Sequence, residues 1–276
     1  PSRNPTNLKA TRSLKRNSRP CAINKRFFAS TYARWRPKRK SSKFYPKPGV
    51  ELRKNKVNLA CLTDYNSTMN VPAFYMLCKK YNVPSLYGME AQTAECVHAL
   101  VLFNNPVTAF EFGLEWQRHL FFINDKTEQI YVNEKGEMLG SIEKNLLCNS
   151  DVSIFELASM VHEHSGLIIP SRVDSKNFSF MSQFEKILRG PWDALEFENI
   201  KDAPKLLPCP YPVLKASPVD FITDVGFHSV KLDIENEELV TSESLVNLLA
   251  IQKAFEKLVI LPEGLSSSDS LNSQYA

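Results

Sequence analysis

From residue 57 onward, apolar and polar positions alternate in short blocks, and each block has the spacing of one element. Residues 57–63 are nearly all apolar and predict a buried strand, while 71–82 (VPAFYMLCKKYN) place apolar side chains at helical intervals. Residues 85–93 and 97–103 read as two more strands. Residues 106–120 are amphipathic with proline in the first turn, where its missing N–H costs nothing, and predict a helix whose Phe110, Phe112, Trp116 and Leu120 face the core. Strand-like flanks around Asn133-Glu134-Lys135-Gly136 predict a hairpin over 129–142. Ser153 and Glu156 have capping-box spacing and open a helix to about His164, closed by Gly166. Beyond it the pattern predicts strand 167–171, a helix near 179–189, strands 194–197, 211–216 and 228–234, and a helix over 242–256. Strand–helix alternation across 51–265 predicts an α/β layer fold or barrel, followed by a loose Ser-rich tail, 266–276.

Charge divides the chain differently. Residues 1–50 hold 15 Lys or Arg and no acid, so of the chain's 34 bases and 30 acids the remainder keeps 19 and all 30, giving +15 against −11. Six prolines and sparse apolar residues argue against a core in 1–50, which reads as an extended basic arm. Its aromatic residues lie among the bases, a mixture that neutralises phosphates and stacks on nucleobases. The expected RNA contacts are Arg12, Lys15, Arg16, Arg19, Lys25, Arg26, Arg34, Trp35, Arg36, Lys38, Arg39, Lys40 and Lys43. An Arg- and Ser-rich segment without acids is also what a mitochondrial transit peptide looks like, and Arg26-Phe27-Phe28-Ala29-Ser30 resembles a processing site. An acidic protein surface, lipid headgroups or the chain's own domain are the other surfaces such an arm could meet.

Apolar runs such as 99–103 are far short of the ~20 residues that cross a bilayer, so no membrane span is expected. The six cysteines form no CxxC pair, which suggests free thiols in a reducing compartment and argues against a cysteine-based zinc site. Phosphate-cradling GxxxxGK[ST] and GxGxxG motifs are absent. His162 and His164 are two apart on one predicted helix and point in different directions, and His119 and His228 have no partner nearby in sequence.

Candidate chemistry gathers where predicted strands end. The stretches LTDYNSTMNVPAF (62–74), YGMEAQTAECVHALVLF (87–103), LLCNSDVSIFELASMVHEHSGLIIPSRVD (146–174) and ASPVDFITDVG (216–226), in this order, resemble the polymerase and histidinol phosphatase (PHP) domain family. The resemblance runs from about residue 27 to 256. It implies an irregular PHP-like (βα)7-type barrel carrying the long basic, non-globular N-terminal extension, with the first family strand from about 27. The family's metal-dependent phosphoesterases carry their ions on histidines and carboxylates, and most of those positions are altered here. The first His-x-His matches 29–33, which contain no histidine. Thr-Asp-His-Asn appears as Thr63-Asp64-Tyr65-Asn66. Glu90 and His98 are kept. Arg172 takes the histidine position of Pro170-Ser171-Arg172-Val173-Asp174, and Ser217-Pro218-Val219-Asp220 replaces Ser-Asp-Ala-His.

The degenerate positions are therefore Asp64, Tyr65, Glu90, His98, Arg172, Asp174, Pro218 and Asp220. Asp64, Glu90 and His98 are the residual candidates for one divalent metal ion, and Arg172 is expected to pair with Asp64, Glu90 or Asp220 instead of leaving room for a cation. The basic arm and the resemblance together give two functional expectations. The first is a catalytically inactive PHP-fold subunit of a large ribonucleoprotein assembly, an organellar ribosome in the mitochondrial matrix, contacting rRNA or other structured RNA through the arm and neighbouring subunits through the body. The second is a metal-dependent phosphoesterase acting on a nucleotide or phosphorylated small molecule. A scaffold subunit of a non-ribosomal organellar complex is a third.

Overall fold

A computed structural model describes residues 21–24, 57–121, 129–142, 144–216 and 230–264. In chain order the elements are β1 Cys21–Asn24, β2 Leu59–Tyr65, α1 Val71–Tyr81, β3 Ser85–Gln92, β4 His98–Phe103, α2 Pro106–His119, β5 Gln129–Val132, β6 Met138–Ile142, α3 Ile154–Glu163 and β7 Leu167–Pro170. They continue as α4 Phe180–Phe184, β8 Leu195–Phe197, α5 Ala203–Leu206, β9 Tyr211–Lys215, β10 Val230–Leu232, α6 Asn236–Leu239, α7 Leu248–Glu256 and β11 Val259–Ile260.

The strands form a mixed six-stranded sheet in the order β10-β1-β2-β3-β4-β7, a three-stranded sheet β11-β9-β8, and the separate hairpin β5-β6. β1, β2 and β3 run parallel, whereas β4 runs against both β3 and β7. Two backbone bonds tie β7 to β8: Asp193 N donates to Ile168 O at 3.1 Å and Val173 N to Glu196 O at 2.8 Å. The expected barrel is not closed among the described strands. The β3–β4 reversal replaces a parallel crossover with a hairpin, so the repeating βα unit that curls a sheet into a barrel is interrupted.

Strand alternation puts a core on each face of the sheet. Ala60, Leu62, Tyr87, Met89, Ala99 and Val101 pack on one face against Phe74, Phe112, Trp116 and Leu157 from the helices. Leu59, Cys61, Leu86, Leu100, Leu102, Leu167 and Ile169 pack on the other against Leu214, Ile251 and Phe255. Phe112, Trp116 and Leu120 are buried as expected of the core face of α2, while Phe110 is only half-buried. Gly88 permits the close β3–β4 approach, since a Cβ there would lie 1.7 Å from Val101 O.

Several boundaries differ from expectation for local reasons. β1 falls inside the segment read as an unfolded arm, where Ile23 pairs with Leu59 of β2 and Val230 of β10. α4 stops at Phe184, not near 189, because Glu185 turns to φ +57° and donates its N–H to Met181 O. The helix expected from 242 begins at Leu248, after a turn closed by the Val240–Val246 bridge with Ser244 at φ +63°; Asn247 caps it by accepting from Ala250 N. At the end of α3 the left-handed residue is Ser165 (φ +54°), not Gly166. Gly166 is needed for space, as a Cβ there would meet the Phe103 ring at 2.5 Å. Cys61, Cys78, Cys96, Cys148 and Cys209 are free thiols. No helix among the described residues is long and apolar enough to cross a membrane.

Candidate functional site

The topology delivers polar groups to one end of the large sheet. β3 ends at Gln92 and β4 begins at His98, directly opposite, so Glu90, Gln92 and His98 share a face. β7 runs in the direction of β3 and carries Ser171 and Arg172 just past its end, and neighbouring β8 supplies Glu196. Tyr65, the register partner of Glu90 on β2, completes the group.

These side chains form one buried network. Arg172 Nη2 lies 3.4 Å from both Glu90 Oε1 and His98 Nδ1, and His98 Nδ1 is 3.4 Å from Glu90 Oε1. Ser171 Oγ lies 2.6 Å from Glu196 Oε2 and 3.3 Å from Glu90 Oε1, within reach of both buried carboxylates. Tyr65 Oη is 2.9 Å from His98 Nε2, and its hydroxyl donates to Gln92 Oε1, whose amide donates in turn to Asn149. A hydroxyl has a single proton. With that proton on Gln92, His98 Nε2–H is the donor to Tyr65, which leaves Nδ1 to accept from Arg172 and fixes the tautomer by inference from the hydrogen bonds. Phe178 stacks on the other side of this unit, its ring 4.7 Å from the His98 ring at 8°.

Asp64 is elsewhere. Opposite Met89 rather than Glu90 in the β2–β3 ladder, it points to the helix-covered face, where Asn70 Nδ2 donates to its Oδ2 at 2.8 Å. Burial pushes its carboxyl up to about 7, only partly offset by the Asn70 hydrogen bond, and its Oδ1 has no hydrogen-bond partner among the described residues. The expected Asp64–Glu90–His98 ligand set is thus not assembled. Asp174 also lies apart: its carboxylate accepts from the backbone N–H groups of Glu198 and Asn199 at 2.7 and 2.8 Å and fixes the loop after β8. Pro218, Asp220 and His228 lie outside the described residues, as do the thirteen expected RNA contacts from Arg12 to Lys43.

The described residues do not fit the divalent-metal centre that the family resemblance implies. No group of three His, Cys, Asp or Glu side chains converges among them. Both ring nitrogens of His98 are engaged, and a guanidinium stands beside Glu90 where a second positive charge would be repelled. Other histidines are spent elsewhere: His119 pairs with Asp151 at 2.8 Å, His162 with Asp193 at 3.2 Å, and His164 lies at the C-cap of α3. Sequence reading missed Gln92, Phe178 and Glu196, and named Ser171 only as part of the strand-end stretch around Arg172. Glu196 left a trace, as a single acid between apolar neighbours in a buried strand.

Neither a family model nor a curated protein matches the chain. Solved structures do. The lesion-specific endonuclease Q of Pyrococcus furiosus superposes with a TM-score of 0.52 at 16% identity, covering 86% of this chain and 56% of that one. Endonuclease Q in complex with a 27-mer duplex substrate carrying an abasic lesion at the active site gives 0.50 at 15%, covering 87% and 56%. The fold is PHP-like. The chain spans little more than half the length of endonuclease Q. A Bifidobacterium adolescentis protein assigned as a metal-dependent phosphoesterase is more distant, with a TM-score of 0.45 at 11% identity over 88% of this chain and 99% of its own.

Proposed function

We propose that the chain is a phosphoester-directed protein of the nuclease and phosphoesterase class, engaging phosphate groups of a nucleic acid or nucleotide at the Glu90–His98–Arg172 end of its sheet. The observation that carries this reading is Arg172. Its side chain is a quarter exposed, one Nη group serves Glu90 and His98 together, and the buried Nε is turned away from solvent, so the exposed part of the guanidinium beyond that contact is what a ligand can reach. An arginine held in place from one side, with donors to spare, suits a phosphate. The PHP-like fold supports the same ligand class.

Because the described side chains do not make a metal centre, recognition comes first in this reading and no metal-borne hydrolytic step is derived. A metal-dependent hydrolase is the second reading, favoured by the likeness to endonuclease Q. A ribosomal or other organellar structural role draws on the bases and aromatic residues of 1–50 and on the altered metal positions of the body.

Binding of nucleotides and short oligonucleotides, with a parallel cleavage assay in Mn²⁺ or Mg²⁺ on intact and abasic duplex, tests the proposal. Arg172→Ala should weaken binding about 10- to 150-fold, in keeping with a charge-assisted hydrogen bond of about 1.5–3 kcal/mol. Binding indifferent to Arg172 would overturn the reading, and metal-dependent cleavage lost in Glu90→Gln would establish the hydrolase instead.

A further inference from the structure

The loop between β7 and α4 holds an aromatic side chain in an unusual state. Phe178 is 44% exposed, yet its ring lies flat on the buried His98 imidazole. Its backbone is in the left-handed region at φ +54°, as is that of Arg172 at φ +45°, a conformation few residues without special need adopt and one that persists only where surroundings enforce it.

The surroundings do enforce it. Phe178 O accepts from His98 N at 3.0 Å, and Ser175 N donates to Arg172 O at 2.8 Å. Ser179 Oγ donates to Ser175 O at 2.6 Å, and Asp174 anchors the middle of the loop to the Glu198 and Asn199 amides. The exposed ring is therefore presented by a rigid loop. His98, fixed by Tyr65 on one nitrogen and Arg172 on the other, is the floor beneath it. A planar apolar surface open to solvent and a partly exposed guanidinium thus meet on one imidazole.

We infer that Phe178 is a stacking platform for an unpaired base of a nucleic-acid strand whose adjoining phosphate is held by Arg172. The inference rests on the phosphoester reading above and narrows its ligand to a single-stranded segment, because a base inside a duplex cannot offer its face to a ring. Stacking is indifferent to base identity, so the platform selects for an unstacked nucleotide, not for a sequence.

The test is a cycle on the full chain, at salt high enough to suppress non-specific phosphate binding. Affinities of an oligothymidylate and of an abasic oligomer of equal length are measured by fluorescence anisotropy for the wild type, Phe178→Leu, Phe178→Trp and Arg172→Ala, with an oligouridylate arm to separate DNA from RNA. Base–aromatic stacking of about 1–3 kcal/mol corresponds to a preference of about 5- to 150-fold for the base-bearing strand. The wild type and Phe178→Trp should show it, and Phe178→Leu should lose at least fivefold of it at an unchanged melting temperature. Arg172→Ala should weaken both oligomers equally. A base preference unaltered in Phe178→Leu would overturn the platform while leaving the phosphoester reading standing. If neither oligomer binds the wild type, that reading itself fails.

Discussion

Tyr65 and Glu90 stand opposite each other across the β2–β3 ladder, and this one pairing sends Asp64 to the far side of the sheet. The two sides then impose different chemistry. Glu90 shares its end of the sheet with a guanidinium, an imidazole and a hydroxyl, whereas the buried Asp64 has the amide of Asn70 as its side-chain donor. The same acid type is thereby ion-paired on one face and driven toward the neutral form on the other.

Asp64 should make stability fall as pH rises. Its folded-state value of about 7 lies above the ordinary 3.8, so between these limits the folded chain retains a proton that the unfolded chain has released. The penalty builds through that window and levels off above it, at most about 4 kcal/mol at 1.36 kcal/mol per unit. Asp64→Asn should flatten this dependence and melt higher than the wild type at pH 8. Parallel melting curves for the two proteins from pH 4 to 8 would show the assignment to be wrong.

Arg172 and Glu90 should behave as a coupled pair. Arg172→Met removes the cation from a buried carboxylate and is expected to cost about 1–3 kcal/mol, below the full penalty for breaking a buried pair because the arginine is a quarter exposed. Adding Glu90→Gln should restore part of that loss. Urea denaturation of the two single variants and the double variant measures the coupling, and strict additivity would mean that the contact contributes nothing.

Divalent metal should gain a foothold only when the positions beside Glu90 and His98 are changed. Tyr65→His/Arg172→His adds two imidazoles and removes the competing positive charge. In Mn²⁺ or Zn²⁺ its melting temperature should rise reversibly with chelator, by about 2.7 kcal/mol of stabilisation at a hundredfold excess over Kd. Equal metal responses in variant and wild type would remove the argument that Arg172 and Tyr65 disfavour a metal.

Gly88→Ala should be among the most damaging small changes in the chain. The new methyl would sit 1.7 Å from Val101 O, a backbone atom that cannot swing aside. Separation of β3 from β4 would also part Glu90 from His98. The expected outcome is a loss of several kcal/mol or failure to fold, checked by circular dichroism and denaturation; a wild-type midpoint would contradict the close approach.

Much of this architecture is legible where a local cue has no competitor. Pro106 follows Asn105, whose side chain accepts from Val107 N at 2.8 Å, and α2 begins there; Ser153 and Glu156 form the expected capping box. Cues fail where two are available, as at Ser242 and Asn247, since the chain uses the later cap. β1 was hidden because Cys21-Ala22-Ile23 is too short a run to stand out from its basic flanks, and its β10 partner lies far along the chain. In the site, Glu90, His98 and Arg172 were recognisable one at a time. Which acid faces them was not, because a strand's alternation gives two faces but only pairing register says which face is shared.

The hairpin reversal between β3 and β4 also orders how the site can form. Glu90 and His98 are eight positions apart and are aligned by a single tight turn, so their half of the network has low contact order and can assemble as soon as that turn closes. Arg172 and Glu196 come from much later in the chain, beyond α2, the β5–β6 hairpin and α3. Until they arrive the carboxylate and the imidazole lack the guanidinium that bridges them, which makes docking of β7 the event that completes this end of the molecule.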